Sequence, residues 1–284
     1  MKPFRWNIKK KEQLGQLLSG EMATFYRGYL KELRDCSANV LAYSDNRRMI
    51  FVGRSAENIF DYLSGILENT FYENRVEHLN ISNRFYYIHE LAKEAPDSYY
   101  ALKEHFEALK ISPKQLIKDK HGICFVDLVC EGFTFDRLFE FIERWCNEEN
   151  IDKKSVWKKI KFIGITSRVK NSPNTYRWYQ HTAWIDYKYK IQSQSISISY
   201  RMWNYMGNVQ YKVTTTNKPN LWTSDKILLP VRDSEQLKAL RLAYTIYNRG
   251  LNERKELFVL SKSPKEKWLK DLLLSIRKMP YLKK

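Results

Sequence analysis

The stretch GICFVDLVCEGFTFDRLFEFI, running from Gly122 to Ile142, decides the fold. It opens on apolar and β-branched residues, passes one carboxylate at Asp127, and reaches Gly132 and Thr134. Phe135, Leu138, Phe139 and Ile142 then recur at helical spacing, so the pattern predicts a strand, a tight turn and an amphipathic helix. Two readings of the turn are open. It is either a phosphate-cradling loop or a plain connection in the buried centre of an α/β domain.

Working outward, RRMIFVGRSAENIFDYLSGIL (Arg47–Leu67) repeats the same logic. Met49 to Val52 form the expected strand and Gly53, Arg54 and Ser55 the turn. Ile59, Phe60, Leu63 and Leu67 lie on one helical face, with Ser55 and Glu57–Asn58 supplying cap and first-turn chemistry. Residues 76–82 read as a short strand. Residues 83–118 read as mainly helical, with a break near Pro96 and a helix start at Ser112–Pro113. Residues 158–166 form another apolar strand. Strands alternating with helices argue for a mostly parallel sheet covered on both faces.

After Thr166 the character changes. SISISYRMW and NVQYKVTTT alternate with period two around Gly207–Asn208, which predicts a hairpin. Ser234–Gly250 reads as a capped amphipathic helix, and a basic helix is expected from about residue 264 to 277. The resulting expectation is an N-terminal helical segment (1–40), a Rossmann-like α/β core (41–170) and a basic, aromatic-rich α+β C-terminal extension (171–284).

In open α/β sheets, ligands sit beyond the carboxyl ends of strands, where loops feed helix N-termini. Both VGRS and VDLVCEGFT fall at such ends. The stretch from Gly122 to Thr134 resembles the phosphoribosyl-diphosphate motif of type I phosphoribosyltransferases. In that family an apolar run leads into two adjacent acids, a hydrophobic pair, an acid and a small-residue turn. Ile123–Phe125 correspond to the strand, Asp127 to the second adjacent acid, Leu128–Val129 to the pair, and Gly132 and Thr134 to the turn. The chain departs from the pattern at Val126, where the first acid belongs, and at Cys130, where the next acid belongs. It departs again at Glu131, where Thr or Ser is usual; a carboxylate there repels a 5′-phosphate unless a Lys or Arg compensates. The motif covers about thirteen residues, and the architecture roughly residues 40 to 170.

The resemblance implies a phosphoribosyltransferase core that takes phosphoribosyl diphosphate with Mg²⁺. It implies Asp127 as the catalytic and metal-binding carboxylate. Gly53, Arg54 and Ser55 would contact pyrophosphate, and Glu131, Gly132, Phe133 and Thr134 would form the phosphate and ribose turn. The loop after residue 166 would lie over the same edge, so Ser167, Arg168, Tyr176 and Trp178 are candidates for stacking a base or sealing the pocket; a loop pinned by core aromatics is the alternative. The reaction would be glycosyl transfer at the anomeric carbon of ribose, and a ligand-sensing or inactive relative is equally in view.

Charge points to a second function class. The net charge is +17, and residues 1–150 hold 21 Lys/Arg against 23 Asp/Glu while residues 151–284 hold 28 against 9. Such asymmetry suits a nucleic acid or an acidic protein as partner, or a solvated Lys-rich surface. Between Tyr176 and Tyr211 stand ten Tyr or Trp and no Phe, interleaved with basic residues, which suits a stacking platform and equally a half-exposed sheet.

Other chemistries find no pattern. His78, His89, His105, His121 and His181 are scattered, and no dinucleotide or Walker fingerprint is present. Cys36, Cys124, Cys130 and Cys146 lack CxxC spacing, so neither a zinc site nor a disulfide framework is indicated. No apolar run approaches a membrane span and the charged start MKPFRWNIKKKEQ has no signal-peptide core. A cytoplasmic protein is expected.

Overall fold

The computed structural model describes residues 3–82, 87–168, 178–182, 185, 189–215, 219–255 and 266–279. Strands β1 (Arg48–Val52), β2 (Val76–Leu79), β3 (Ile123–Leu128), β4 (Ile160–Ser167) and β5 (Gln192–Ile198) form one sheet in the order β2-β1-β3-β4-β5. Every neighbouring pair is parallel, with Met49 opposite Cys124 and Asp127 opposite Gly164. The carboxyl ends of all five strands therefore share one rim. β3 and β4 are buried almost throughout, as central parallel strands must be.

The helices are α1 (Lys11–Leu14), α2 (Tyr29–Tyr43), α3 (Glu57–Leu67), α4 (Ile88–Glu94), α5 (Pro96–Ala108), α6 (Pro113–Lys118), α7 (Phe133–Glu148) and α8 (Lys153–Trp157). Later come α9 (Tyr200–Asn204), α10 (Ser234–Glu253) and α11 (Lys267–Lys278). The chain passes from β1 outward to β2, then jumps back across β1 to reach β3. Right-handed crossovers in opposite directions place their helices on opposite faces. The core divides accordingly. Met49, Phe51, Cys124, Val126, Ile163 and Ile165 pack against α2, α3, α10 and α11. Ile50, Val52, Ile123, Phe125, Ile160 and Phe162 pack against α4 to α8.

Two expectations are corrected. SISISYRMW and NVQYKVTTT do not form a hairpin: Gln192–Ile198 joins the main sheet as β5, parallel to β4. Tyr200–Asn204 is α-helical and Tyr205–Val209 continues it as a π-helix. Ser199 caps that helix by accepting a hydrogen bond from the Met202 N–H. Among the described residues beyond 170, β5, Met202–Met206, α10 and α11 are thus packed into the core.

The closest join is the crossing of α10 on α3. A Cβ on Gly65 would overlap the Tyr247 carbonyl oxygen and lie 2.8 Å from the Leu251 nitrogen. A Cβ on Gly250 would overlap the Tyr62 carbonyl oxygen. Glycine on both helices lets the two backbones touch. Gly250, expected to end its helix, lies inside it instead.

Candidate functional site at the strand crossover

Strand order reverses between β1 and β3, so the crevice above these two strands is where a doubly wound sheet offers a ligand site. Loop 53–56 and loop 129–132 form its walls. Gly53 adopts a φ of +66°, its N–H donates to Leu79 O, and its carbonyl oxygen lies 2.6 Å from His78 Nε2. β2 thereby fixes the turn that carries Arg54 and Ser55. The helix cap here is Ala56, which has no capping side chain, so the expected Ser55 cap does not form. Arg54 is exposed and Ser55 half-buried.

On the other wall, Gly132 takes a φ of +92° at the start of α7, and no side chain caps that helix. Among the described residues its first N–H groups meet no side-chain acceptor, beside the positive end of a 16-residue helix. Asp127 is buried below them; its Oδ1 accepts from the Leu128 N–H at 2.7 Å. Burial pushes its carboxyl up to about 7, against hydrogen bonds from Leu128 and the Thr134 side chain and the charge of Lys212. Cys130, Glu131 and Phe133 are exposed, so the Glu131 side chain lies in solvent.

Sequence reasoning missed three contributors. Glu57 is 1% exposed, yet its carboxylate accepts from the N–H groups of Val213 (3.0 Å) and Thr214 (3.1 Å). Gln210 Nε2 donates to Asn58 Oδ1 at 2.8 Å. Residues 205–214 are thereby held as an arch over the crevice, where Trp203 Nε1 donates to Val129 O at 3.3 Å. The arch delivers Lys212, whose Nζ donates to Met206 O at 2.5 Å. Burial pushes the Lys212 ammonium down to about 8, with Glu57 and Asp127 drawing it up and Arg54 pushing it down. Glu57, Arg54, Asp127 and Lys212 therefore form one electrostatic cluster. The structure brings Arg54, Asp127 and Thr134 together and adds Lys212 from the far end of the chain.

The loop candidates divide. Ser167 is buried and Arg168 exposed at the end of β4, on the same rim. Tyr176 lies outside the described residues. Trp178 is a correction: it is fully buried, packed on Phe135 with ring centroids 4.9 Å apart and against the Gly132 turn, and so presents no face on which a base could stack. The reason is Gly164, where a Cβ would overlap the indole nitrogen; the bare strand leaves a slot that the ring fills.

The implied Mg²⁺ finds no cage. Among the described residues no group of three or more His, Cys, Asp or Glu gathers to hold a metal. At the crevice Glu57 is already bonded to the Val213 and Thr214 amides and buried Asp127 accepts from the Leu128 N–H, so both carboxylates are engaged with backbone. The residues do not fit a protein-held Mg²⁺.

A groove of about 630 Å³ lies elsewhere, between Tyr87–His89 and the outer face of α7. Its charges neutralise one another: Arg137 pairs with Asp136 and Glu140, and Arg144 with Glu148. It holds a His89 Nδ1–Glu140 Oε1 contact of 3.2 Å but no surplus of cations, so the crossover crevice is the better candidate for a phosphate. Several cations of the basic half are likewise paired, Lys161 with Asp45, Lys238 with Glu21 and Arg249 with Glu253. No described helix is long and apolar enough to cross a membrane. No family model, curated protein or solved structure matches the chain.

Proposed function

We propose that the chain binds a phosphorylated ribose or nucleotide in the crevice between the carboxyl ends of β1 and β3. One observation carries this reading: Lys212 is enclosed at the crossover within electrostatic range of Arg54, Glu57 and Asp127, beside the N-terminus of α7, which no side chain caps. Cations and open helix N–H groups suit phosphate oxygens. An Asp that holds its proton near neutrality can donate to, or accept from, a ribose hydroxyl.

The glycosyl-transfer chemistry implied by the phosphoribosyltransferase resemblance would need the leaving diphosphate neutralised as the anomeric bond breaks, and Arg54 with Lys212 would supply that charge. Calorimetric titration with phosphoribosyl diphosphate, with and without Mg²⁺, tests the reading. Binding that weakens at least tenfold in Arg54→Ala is expected. Absence of binding under both conditions would sink it.

A further inference from the structure

The arch over the crevice is a built device, and its purpose can be read from what it holds. Glu57 spends both carboxylate oxygens on consecutive amides, those of Val213 and Thr214. Behind them Arg5 donates to Thr214 Oγ1 at 3.1 Å and to Asp61 Oδ1 at 2.6 Å. Bidentate anchoring of residues 213 and 214 fixes the residue immediately before them. That residue is Lys212.

Its own bonding is incomplete in a telling way. An ammonium has three N–H donors. The described residues give this one a single hydrogen-bond acceptor, the Met206 carbonyl, and no carboxylate within ion-pair distance. The residue is half-buried as a whole while its ammonium end is enclosed. A desolvated cation with unfilled donors, within electrostatic range of Asp127, Glu57 and Arg54, is poorly satisfied until an anion arrives. Capping the Met206 carbonyl in the last turn of the π-helix uses one of the three donors and leaves two.

We infer that Lys212 is the cation that takes the ligand's phosphate, and that Glu57 is the positioning residue that keeps it over the crevice. This rests on the reading of the crevice as a phosphate-bearing ligand site. It makes the site a joint product of the first half of the chain and a segment about 155 residues later. The ligand completes the arch's bonding and tightens it over the crevice.

Calorimetric titration of the full chain with phosphoribosyl diphosphate, at pH 7 and pH 9, tests the inference in wild type, Lys212→Met and Lys212→Arg. With the ammonium near 8, its charged fraction falls about tenfold over this interval, and wild-type affinity should fall with it. Asp127 and Glu57 face the same point, but whatever they contribute is common to wild type and Lys212→Arg. Lys212→Arg should bind within a few-fold of wild type at pH 7 and lack the extra tenfold loss at pH 9. Lys212→Met should bind at least tenfold more weakly at pH 7. Wild-type binding with an unchanged Lys212→Met affinity, or an identical pH loss in Lys212→Arg, overturns the inference and leaves the ligand reading standing. Failure of wild type to bind at either pH overturns both. If Lys212→Met does not fold, the Lys212→Arg profile decides alone.

Discussion

Replacing Gly250 by alanine sets two effects of opposite sign against each other. Gly250 lies inside the 20-residue helix α10, where alanine in place of glycine favours the helix by about 1 kcal/mol. Against this, the added methyl would overlap the Tyr62 carbonyl oxygen and sit 3.1 Å from its carbon and 3.3 Å from the Ile66 nitrogen. Those atoms are backbone of α3 and cannot rotate aside. Relief requires the two helices to part, and overpacking of this kind costs roughly 1–3 kcal/mol. A backbone obstacle places the cost near the upper end, so a net loss of about 2 kcal/mol is expected. Gly65→Ala meets the same crossing from the other side. The double variant should lose less than the sum of the two, because one separation relieves both clashes. Urea unfolding followed by circular dichroism and tryptophan fluorescence measures this. A Gly250→Ala chain as stable as wild type, or more so, would refute the claim that residues beyond 170 are built into the core through this contact.

Other perturbations probe the site and its surroundings. Asp127 has its folded pKa raised to about 7, above the unfolded value, so its contribution to stability is fully present below about pH 4 and is lost as pH rises through about 7. Asp127→Asn should therefore gain most relative to wild type at pH 8, by at most about 4 kcal/mol, and thermal melting from pH 4.5 to 8 would show it. Asp61, also raised to about 7 chiefly by burial, keeps titrating, so the slope is reduced and not abolished. Trp178→Ala should cost roughly 3–5 kcal/mol in chemical denaturation, as a fully buried ring demands, whereas a lid residue would cost little. The basic excess of residues 151–284 supports a nucleic-acid partner as a second proposal; affinity for an oligonucleotide should then fall steeply between 50 and 200 mM salt, and no binding at about 50 mM would dismiss it.

Hydrophobic periodicity made five inner elements legible. β1, β3 and β4 are short apolar runs bounded by Gly or polar residues, and helices α3 and α7 follow them with clean apolar faces. β5 was misread because Ser195, Ile196, Ser197 and Ile198 alternate, as in a hairpin strand; an edge strand of a parallel sheet with one polar face gives the same pattern. The 200–209 helix was hidden by the aromatic residues Tyr200, Trp203 and Tyr205, which favour strands in isolation, though Ser199 carried a capping signal. Gly164, a lone glycine in an apolar strand, could have announced the close approach of a large side chain. The walls of the crevice, Gly53–Arg54 and Asp127–Thr134, were readable because each lies in one continuous motif. Glu57 was legible only as a first-turn helix residue and Lys212 not at all as a site residue, since their coming together depends on a long-range fold.

The central claim concerns where a phosphate binds, and the most direct measurement is a crystal structure of the full chain with phosphoribosyl diphosphate. The account predicts phosphate density at the first turn of α7, within hydrogen-bonding reach of the Thr134 N–H, the Arg54 guanidinium and Lys212 Nζ. Density in the groove beside Tyr87 and Arg137, with the crossover crevice unchanged, would contradict it.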